Sequence, residues 1–318
     1  MTYTIVLIVL FILELLYFKI ADAFNIIDKP NERSSHTVVT LRGGGVIFYF
    51  AICIYFLVWG GRYPWFFLGL SLMSIISFLD DVYTLSNRIR LIIHFISVLL
   101  MAFQLEVFEF PWYYLVITFI LAVGVINAYN FMDGINGITA CYSLAVVSLL
   151  VIANQYLNFI EQDLLVYTML GILVFGFFNF RNRAKCFAGD VGSVSIAFIL
   201  LFSLGLLIIK TGNPIYILFL VVYGVDAVWT IIQRILRNEN IFEAHRSHLY
   251  QYLANEAKIN KLAISFFYGL IQFIIGIGVI LVSERDLIYQ LAFSGIIIVG
   301  LSVTYLIVRH YIIKKYIS

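Results

Sequence analysis

Long apolar segments recur along this 318-residue chain and constrain its fold more than any other feature. Segments of about 16 to 20 mostly apolar residues are long enough to cross a hydrocarbon core of about 30 Å as helices. With 63% hydrophobic and 12% charged residues, the composition lies far from that of soluble domains. The sequence therefore predicts an all-α, polytopic integral membrane bundle that forms one domain over residues 1–318. The eleven predicted spans are 3–20, 45–60, 64–80, 91–106, 111–129, 138–153, 164–180, 192–209, 214–232, 263–282 and 287–308.

The distribution of lysine and arginine predicts how this bundle is oriented. An odd number of spans places the two termini on opposite sides, and an outside N-terminus gathers five loops and the C-terminal tail on one face. These loops lie near 20–44, 81–90, 130–137, 181–191 and 233–262. Only Arg62, Lys210 and Arg285 among the 20 lysines and arginines would then lie on the opposite face. The positive-inside rule makes the first face cytoplasmic, together with the C-terminus, so the chemistry is expected there.

The first polar cluster on that face occupies residues 28 to 48. It contains Asp28, Arg33, Arg42 and the triple glycine 43–45 directly before the second predicted span. Glycines at a helix N-terminus let backbone N–H groups approach an anion closely, which favours a phosphate site. The alternative is an ordinary basic loop beside the membrane.

The second cluster is the acidic pair Asp80 and Asp81 at the end of the third span. Two adjacent carboxylates cannot both ionise cheaply in a low dielectric unless a cation or an arginine lies near. The pair therefore suggests a metal–phosphate or proton-transfer site. The alternative is a solvated helix end near Arg88 and Arg90.

The third cluster is the motif NAYNFMDGINGITA, residues 127–140. Asn127, Asn130 and Asp133 are three residues apart, so they share one helix face if the fifth span continues to Asp133. Gly134 and Gly137 then allow a turn before the next span. Such a polar stripe can also be a set of interhelical hydrogen bonds, but the acid and the glycines favour a site.

The fourth cluster is FAGDVGS, residues 187–193, in which Asp190 stands between two glycines at the mouth of a long apolar segment. A carboxylate in this position suits Mg²⁺, which is usually bound by one or two protein carboxylates together with water and substrate phosphates. The structural alternative is that Asp190 caps the following helix.

The fifth cluster is FEAHRSHLYQYL, residues 242–253, with His245, Arg246 and His248. A zinc site would need further cysteine or histidine ligands, so a phosphate clamp is the favoured interpretation. On the ninth span, Asp226 near Thr230 is interpreted either as part of the site lining or as an interhelical hydrogen bond.

Taken in order, five motifs resemble those of the polyprenyl-phosphate N-acetylhexosamine-1-phosphate transferases, of the glycosyltransferase 4 type, over about residues 25 to 255. The motifs are D-x-P-x-x-R-x-x-H with RGGG, DD, N-x-x-N-F-M-D-G-I-x-G, F-x-G-D-V-G-S and A-H-R-S-H-x-Y-Q. The resemblance implies that a UDP-N-acetylhexosamine gives its sugar 1-phosphate to undecaprenyl phosphate and releases UMP. The lipid-linked diphosphate sugar would initiate lipopolysaccharide O-antigen, capsule or related cell-envelope polysaccharide synthesis at the cytoplasmic face of the bacterial inner membrane.

The resemblance also implies roles for individual residues. Asp190 would be the ligand of Mg²⁺, with Mn²⁺ as the alternative ion. Asp80, Asp81 and Asp133 would be catalytic. The residues expected to bind nucleotide and phosphate are Asn130, Asn136, Phe187, Arg33, Arg42, His245, Arg246 and His248.

Three departures from the family pattern accompany these roles. Asn136 stands where the family usually has a second aspartate, and Ser34 where many relatives have a lysine, which leaves Arg33 or Arg42 as its substitute. The usual N-x-x-P-A pattern before Phe187 is replaced by NFRNRAK, which begins at Asn179.

Two other functions are weighed against this one. The muramoyl-pentapeptide transferases of peptidoglycan synthesis are the nearest runner-up, but their relatives have three consecutive histidines where this chain has His245-Arg-Ser-His248. A membrane transporter would place its charges near the bilayer midplane and in paired repeats, whereas here they gather at one face. No nucleic-acid partner is expected, and a homodimer is implied only by the resemblance. Direct attack by the lipid phosphate is preferred to an aspartate nucleophile.

Overall fold

A computed structural model describes residues 2–30, 38–83, 85–240 and 245–317. Arg33, which the sequence predicts to bind phosphate, lies outside this part of the chain. The described residues form helices almost throughout, with one small antiparallel sheet of two strands, β1 (Ile27–Asp28) and β2 (Thr40–Leu41), between the first two helices.

The helices follow the predicted spans closely. They are α1 (Tyr3–Ala23), α2 (Val46–Val58), α3 (Pro64–Tyr83), α4 (Asn87–Gln104), α5 (Trp112–Met132), α6 (Ile138–Leu157), α7 (Gln162–Asn179), α8 (Gly189–Thr211), α9 (Val221–Leu236), α10 (Leu249–Gln251), α11 (Lys261–Val282) and α12 (Leu287–Tyr316). Short 3₁₀ segments cover Val107–Glu109 and Pro214–Leu220, and a π-helical turn covers Tyr252–Glu256.

Length and composition confirm a polytopic helical membrane protein. Ten helical segments of the described chain are long and apolar enough to cross a membrane, with Pro214–Leu236 counted as one, and α2 is a shorter apolar helix of 13 residues. Each of the eleven predicted spans coincides with one of these segments. Which ends of the helices face the cytoplasm stays a prediction.

Helix α8 forms the centre of the bundle, and α12 lies at its edge. In the most apolar stretch of α8, 78% of the residues are buried inside the protein, whereas in that of α12 only 6% are buried. A helix that is apolar on all sides is stable when other helices or lipid surround it. The apolar run after Asp190 is therefore surrounded by protein, and α12 presents its apolar side chains outward.

Two glycines let the start of α2 lie against the start of α8. A Cβ atom added to Gly45 would fall 2.3 Å from the Cα atom of Gly192. No side chain fits in that space, so the triple glycine is needed for close backbone packing. This contact places the loop before α2 directly beside the FAGDVGS segment.

Candidate active site

The loop before α2 is hydrogen-bonded to the segment that precedes α8. The amides of Gly44 and Gly45 donate to the carbonyl oxygens of Phe187 and Ala188 at 2.9 and 3.1 Å, and the Phe187 amide donates to the carbonyl of Leu41 at 2.8 Å. Two glycine N–H groups that the sequence assigned to an anion therefore bind backbone carbonyls instead. The glycines join two loops of the site.

Asp81 closes the N-terminus of α8. Its carboxylate oxygens accept hydrogen bonds from the amides of Asp190 and Val191, both at 3.0 Å, and the Nε atom of Arg42 lies 2.6 Å from Oδ1. The Asp81 side chain is 0% exposed. The first amides of a helix have no partner within the helix, and a carboxylate there is favoured by the helix dipole. Asp81, rather than Asp190, thus caps α8.

The carboxylate of Asp190 lies between two arginines. Its oxygens are 3.3 Å from Nη2 of Arg42 and 3.3 Å from Nη2 of Arg90. Arg90 also binds Oδ2 of Asp80 at 2.6 Å, and Asp80 Oδ1 accepts a hydrogen bond from the amide of Leu85. The side chain of Asp190 is 18% exposed, compared with 8% for Asp80. Of the two, Asp190 is the more open to a ligand.

The acidic surroundings change the proton affinity of Arg42. Burial alone would lower the pKa of this guanidinium, but the neighbouring carboxylates, led by Asp81 and Asp190, outweigh burial and raise the pKa above its ordinary value. Arg42 is therefore a permanent positive charge at the site.

The local sequence indicates no role for Arg90 beyond a solvated helix end. Helix α4 begins at Asn87, so Arg90 lies in its first turn and bridges Asp80 to Asp190.

Asp133 follows directly after α5 and shares these surroundings. Its Oδ1 accepts a hydrogen bond of 2.5 Å from the hydroxyl of Thr139. Burial raises the pKa of the Asp133 carboxyl to about 7, although the bond from Thr139 lowers it. The negative charges of Asp190 and Asp81 raise this pKa as well. Asp133 is thus a carboxyl that titrates near neutral pH close to the other acids.

Helix α5 reaches the start of α8 through Asn130. The hydroxyl of Ser193 donates to Asn130 Oδ1 at 2.9 Å. The sequence-based expectation that α5 continues to Asp133 holds to within one residue, because α5 ends at Met132 and Asp133 is the residue that caps it. The structure thus brings Asn130, Asp133 and Asp190 to one place.

Two asparagines hold the loop before α8. The amide group of Asn136, which is 7% exposed, donates to the carbonyls of Arg181 and Asn182 at 2.7 and 3.3 Å. Asn179 accepts from the Gly137 amide and donates to the carbonyl of Cys186, at 2.7 and 2.8 Å. An ionised aspartate at position 136 could not donate these hydrogen bonds. This difference gives a physical reason for an asparagine at this position. Contact of Asn136 with nucleotide stays a prediction.

The histidine loop packs against the end of α5. Nδ1 of His248 lies 3.1 Å from Oδ1 of Asp226, and the rings of His245 and His248 stack with centroids 5.0 Å apart. The ring of Phe131 is 5.9 Å from that of His245. Burial, together with the neighbouring His248, lowers the pKa of His245 to about 4, so His245 is neutral at pH 7.

Arg246 lies in the same loop, with Nη2 3.3 Å from Oε1 of Glu256. Asp226 is buried in α9 and accepts a hydrogen bond from Tyr268 of α11, so the predicted interhelical hydrogen bond is present.

The donor atoms fit a hard cation better than zinc. Within the described part of the chain, no group of three or more His, Cys, Asp or Glu side chains is placed to hold a metal ion. Mg²⁺ needs no such cage, since it usually takes one or two carboxylates and fills its other positions with water and phosphate oxygens. The partly exposed carboxylate of Asp190, near Asp133, matches that requirement.

Two apolar cavities lie along the outer helices. One, of about 430 Å³, runs between α5 and α9 from Ile120 to Tyr129, and Tyr129 is one helical turn before Asp133. The other, of about 440 Å³, lies between α9, α11 and α12. Along α5, the lining of the first cavity thus ends one helical turn before Asp133.

Comparison with known proteins identifies a family model and several relatives that this chain resembles. The family model described as Glycosyl transferase family 4 matches residues 63–211. A probable undecaprenyl-phosphate N-acetylglucosaminyl 1-phosphate transferase of Bacillus subtilis (strain 168) is 26% identical, with 90% of this chain and 85% of the relative covered.

Two further relatives are named undecaprenyl-phosphate alpha-N-acetylglucosaminyl 1-phosphate transferase. That of Yersinia pestis is 25% identical, with 73% of this chain and 70% of the relative covered. That of Thermotoga maritima is 26% identical, with 76% and 78% covered. The region matched by the family model contains all four site carboxylates, so the chain is similar to glycosyl transferase family 4 in the part that carries the candidate site.

Proposed function

We propose that this protein transfers N-acetylhexosamine 1-phosphate from a UDP-sugar to undecaprenyl phosphate, releasing UMP and forming a lipid-linked diphosphate sugar. The observation that carries the proposal is the convergence of Asp80, Asp81, Asp133 and Asp190 with two arginines at one end of an apolar bundle. The names of the relatives support the same reaction and make N-acetylglucosamine the first sugar to test. Its product would begin a cell-envelope polysaccharide.

Charge is the main obstacle to this reaction. Both substrates are anionic, so a phosphate must be brought against a diphosphate in a partly dehydrated cleft. Arg42 and Arg90 lie at the site and would offset this repulsion by donating to phosphate oxygens. Asp190, with Asp133 nearby, would hold Mg²⁺ or Mn²⁺, and the ion would supply further positive charge at the diphosphate when bound.

A proton has to be managed as well as charge. A phosphate monoester keeps one proton up to about pH 6. The lipid phosphate is therefore the better nucleophile once that proton is removed. Asp133, with a pKa of about 7, is suited to accept it. Asp81 is suited to a positioning role, because its two oxygens already accept two amides and face Arg42. Direct attack of the lipid phosphate requires no covalent enzyme intermediate.

The apolar cavity between α5 and α9 suits the lipid substrate. It is lined by residues such as Ile120, Val125 and Val228, and its α5 wall ends four residues before Asp133. An isoprenoid chain lying there would bring its phosphate to the acidic residues. We place this end of the bundle at the cytoplasmic side of the bacterial inner membrane, where UDP-sugars occur.

The direct test is an assay with purified protein, undecaprenyl phosphate, Mg²⁺ and a panel of nucleotide sugars. UDP-N-acetylglucosamine, UDP-N-acetylgalactosamine and UDP-N-acetylmuramoyl-pentapeptide are supplied separately, and UMP and the lipid product are measured. We expect UMP release with an N-acetylhexosamine only when the lipid phosphate is present. Release of UMP from the muramoyl substrate alone would assign the protein to peptidoglycan synthesis instead, and no release from any sugar would refute the proposal.

The hydrogen bond from Thr139 gives a pH-dependent prediction. It favours the charged form of Asp133, so replacing Thr139 by valine should raise the pKa of this carboxyl further above its value of about 7. If Asp133 accepts the proton, it must be ionised to act, and the acid limb of the kcat profile should move to higher pH by about one unit. The rate above this limb should change little.

Thr168→Val is the matched control for this prediction. The Thr168 hydroxyl is buried in the same way but donates to a backbone carbonyl in α7. The control should leave the acid limb where it is. An acid limb that stays in place, or moves to lower pH, in Thr139→Val would count against Asp133 as the proton acceptor.

A further inference from the structure

Asp226 in α9 is the centre of a buried hydrogen-bond network outside the acidic cluster. The residue is 3% exposed. Oδ1 lies 3.1 Å from Nδ1 of His248 and accepts the amide of Leu249 at 3.1 Å. The hydroxyl of Tyr268, from α11, donates to Oδ2 at 2.8 Å, and that of Thr230 donates to Oδ1 at 3.3 Å. One carboxylate thus joins two helices to the histidine loop.

The charge of Asp226 determines which ring nitrogen of His248 carries the proton. A carboxylate can accept but cannot donate, so the Nδ1 atom that faces it is the donor in the neutral imidazole. The lone pair then lies on Nε2. This atom is buried and has no hydrogen-bond partner among the described residues. A buried polar atom without a partner is costly in a finished fold, so it indicates a contact that a ligand would complete.

The neighbouring rings hold His248 in place beside the end of α5. Its ring stacks on His245 at 5.0 Å and on Tyr250 at 5.8 Å, with interplanar angles of 28° and 26°. Tyr250 donates from its hydroxyl to the carbonyl of Phe131, two residues before Asp133, at 2.9 Å. The histidine is therefore held between α9 and the end of α5, beside the residues that we assign to the chemistry.

We propose that Asp226 is a positioning residue of the transferase, which fixes the tautomer and orientation of His248 so that the Nε2 lone pair accepts a hydrogen bond from the P–O–H group of the lipid phosphate before Asp133 takes that proton. This inference rests on the proposed function. It assigns a role to a buried acid that otherwise would be an ordinary interhelical hydrogen bond. Asp226 touches neither substrate nor metal, and it acts through His248.

A double-mutant cycle separates this role from a purely structural one. Asp226→Asn removes the charge that selects the tautomer but keeps the shape of the side chain. We expect kcat to fall about 10- to 100-fold, as for other partners that orient a histidine, with the KM for the UDP-sugar within about twofold of wild type. In a His248→Gln background, the same change should lower kcat by less than about twofold, because its target is already absent.

Tyr268→Phe is the matched control, since it removes another hydrogen bond to the same carboxylate and leaves His248 in place. Its loss of kcat should be at most about threefold, since the charge of Asp226 remains, and it should add to that of His248→Gln. Additive effects of Asp226→Asn and His248→Gln in active protein would show that Asp226 only supports the fold, and would overturn the inference.

A spectroscopic measurement tests the dyad without any substrate. Nitrogen-15 NMR of histidine-labelled protein in detergent, with the His248 signals assigned through His248→Gln, reports which ring nitrogen is protonated. Wild type should show the Nδ1–H tautomer, Tyr268→Phe should keep it, and Asp226→Asn should lose it or mix it with the other.

The two measurements distinguish failure of the inference from failure of the proposed function. An Nε2–H tautomer in wild type would overturn the inference even if the Asp226 variant did not fold. Absence of UMP release by wild type would instead refute the proposed function.

Discussion

Replacing either Asp190 or Asp133 by asparagine should lower Mg²⁺-dependent UMP release by about 10³-fold or more, while the protein still folds in detergent. Asp190 is the more open of the two carboxylates that Arg90 bridges, and its backbone amide rather than its side chain completes the start of α8. Asp133 accepts a side-chain hydrogen bond from Thr139, a bond that an asparagine can also accept. Both substitutions therefore remove a charge that the proposed reaction needs, while the backbone hydrogen bonds at the start of α8 stay in place. The check is the rate of UMP release across a Mg²⁺ titration.

Asp163→Asn is a control for this pair. Asp163 is an acid at the start of α7, where it accepts hydrogen bonds from Tyr3 and from the indole of Trp59. The residues of α7 near the site, such as Asn179, lie at the other end of the helix. The control should release UMP at close to the wild-type rate. Turnover near normal in Asp190→Asn or Asp133→Asn would remove the proposed assignment of that residue.

The helices could be predicted from sequence because their main determinant is local. The length of the apolar segments alone predicts eleven spans, and each coincides with an observed helical segment, including the 13-residue α2. The same reasoning located the polar ends of these helices, so Asp80, Asp133 and Asp190 were identified as candidates from composition and position. The observed helix ends differ from the predicted ones by a few residues. Helix α8, for example, begins at Gly189, whereas its span was predicted from residue 192.

Partners that are distant in the chain could not be predicted in the same way. The contact of Arg90 with Asp190 joins residues 100 positions apart, and the contact of Arg42 with Asp190 joins residues 148 apart. No local pattern shows which acid a given arginine will reach. The pairing depends on how α2, α4 and α8 pack against one another, which is a property of the whole fold.

The triple glycine shows how a local motif can be compatible with two structures. Glycine allows close approach of an anion or of another backbone, and both need the absence of a side chain. Here the approaching group is the 186–192 segment, with Gly189 in a positive-φ conformation at +71°. A Cβ atom at Gly189 would fall 2.5 Å from Oδ2 of Asp81. The glycines therefore shape the site by letting its parts meet.

Asp81→Asn should differ from the other acidic substitutions by lowering stability as well as activity. The Asp81 side chain is fully buried, its two oxygens each accept a backbone amide, and Arg42 lies 2.6 Å from one of them. Asparagine has one carbonyl oxygen, so its NH₂ group would face an N–H donor, and Arg42 would lose its closest ionic partner. Breaking a fully buried ion pair costs about 3–5 kcal/mol in free energy of unfolding. Because the Arg42 side chain is 34% exposed and also contacts Asp190, we expect a loss near the lower end, about 3 kcal/mol. Thermal unfolding in detergent and UMP release, measured on the same preparation, test both effects.

The comparison with Asp190→Asn makes this prediction specific. Asp81 and Asp190 are both acids beside Arg42, yet only Asp81 uses its oxygens to cap α8. We therefore expect Asp81→Asn to unfold at a clearly lower temperature than Asp190→Asn, although both lose activity. Equal thermal stability of Asp81→Asn and wild type would contradict the capping role. Since the cap sets where the amide of Asp190 lies, it also sets the position of the Asp190 carboxylate between Arg42 and Arg90.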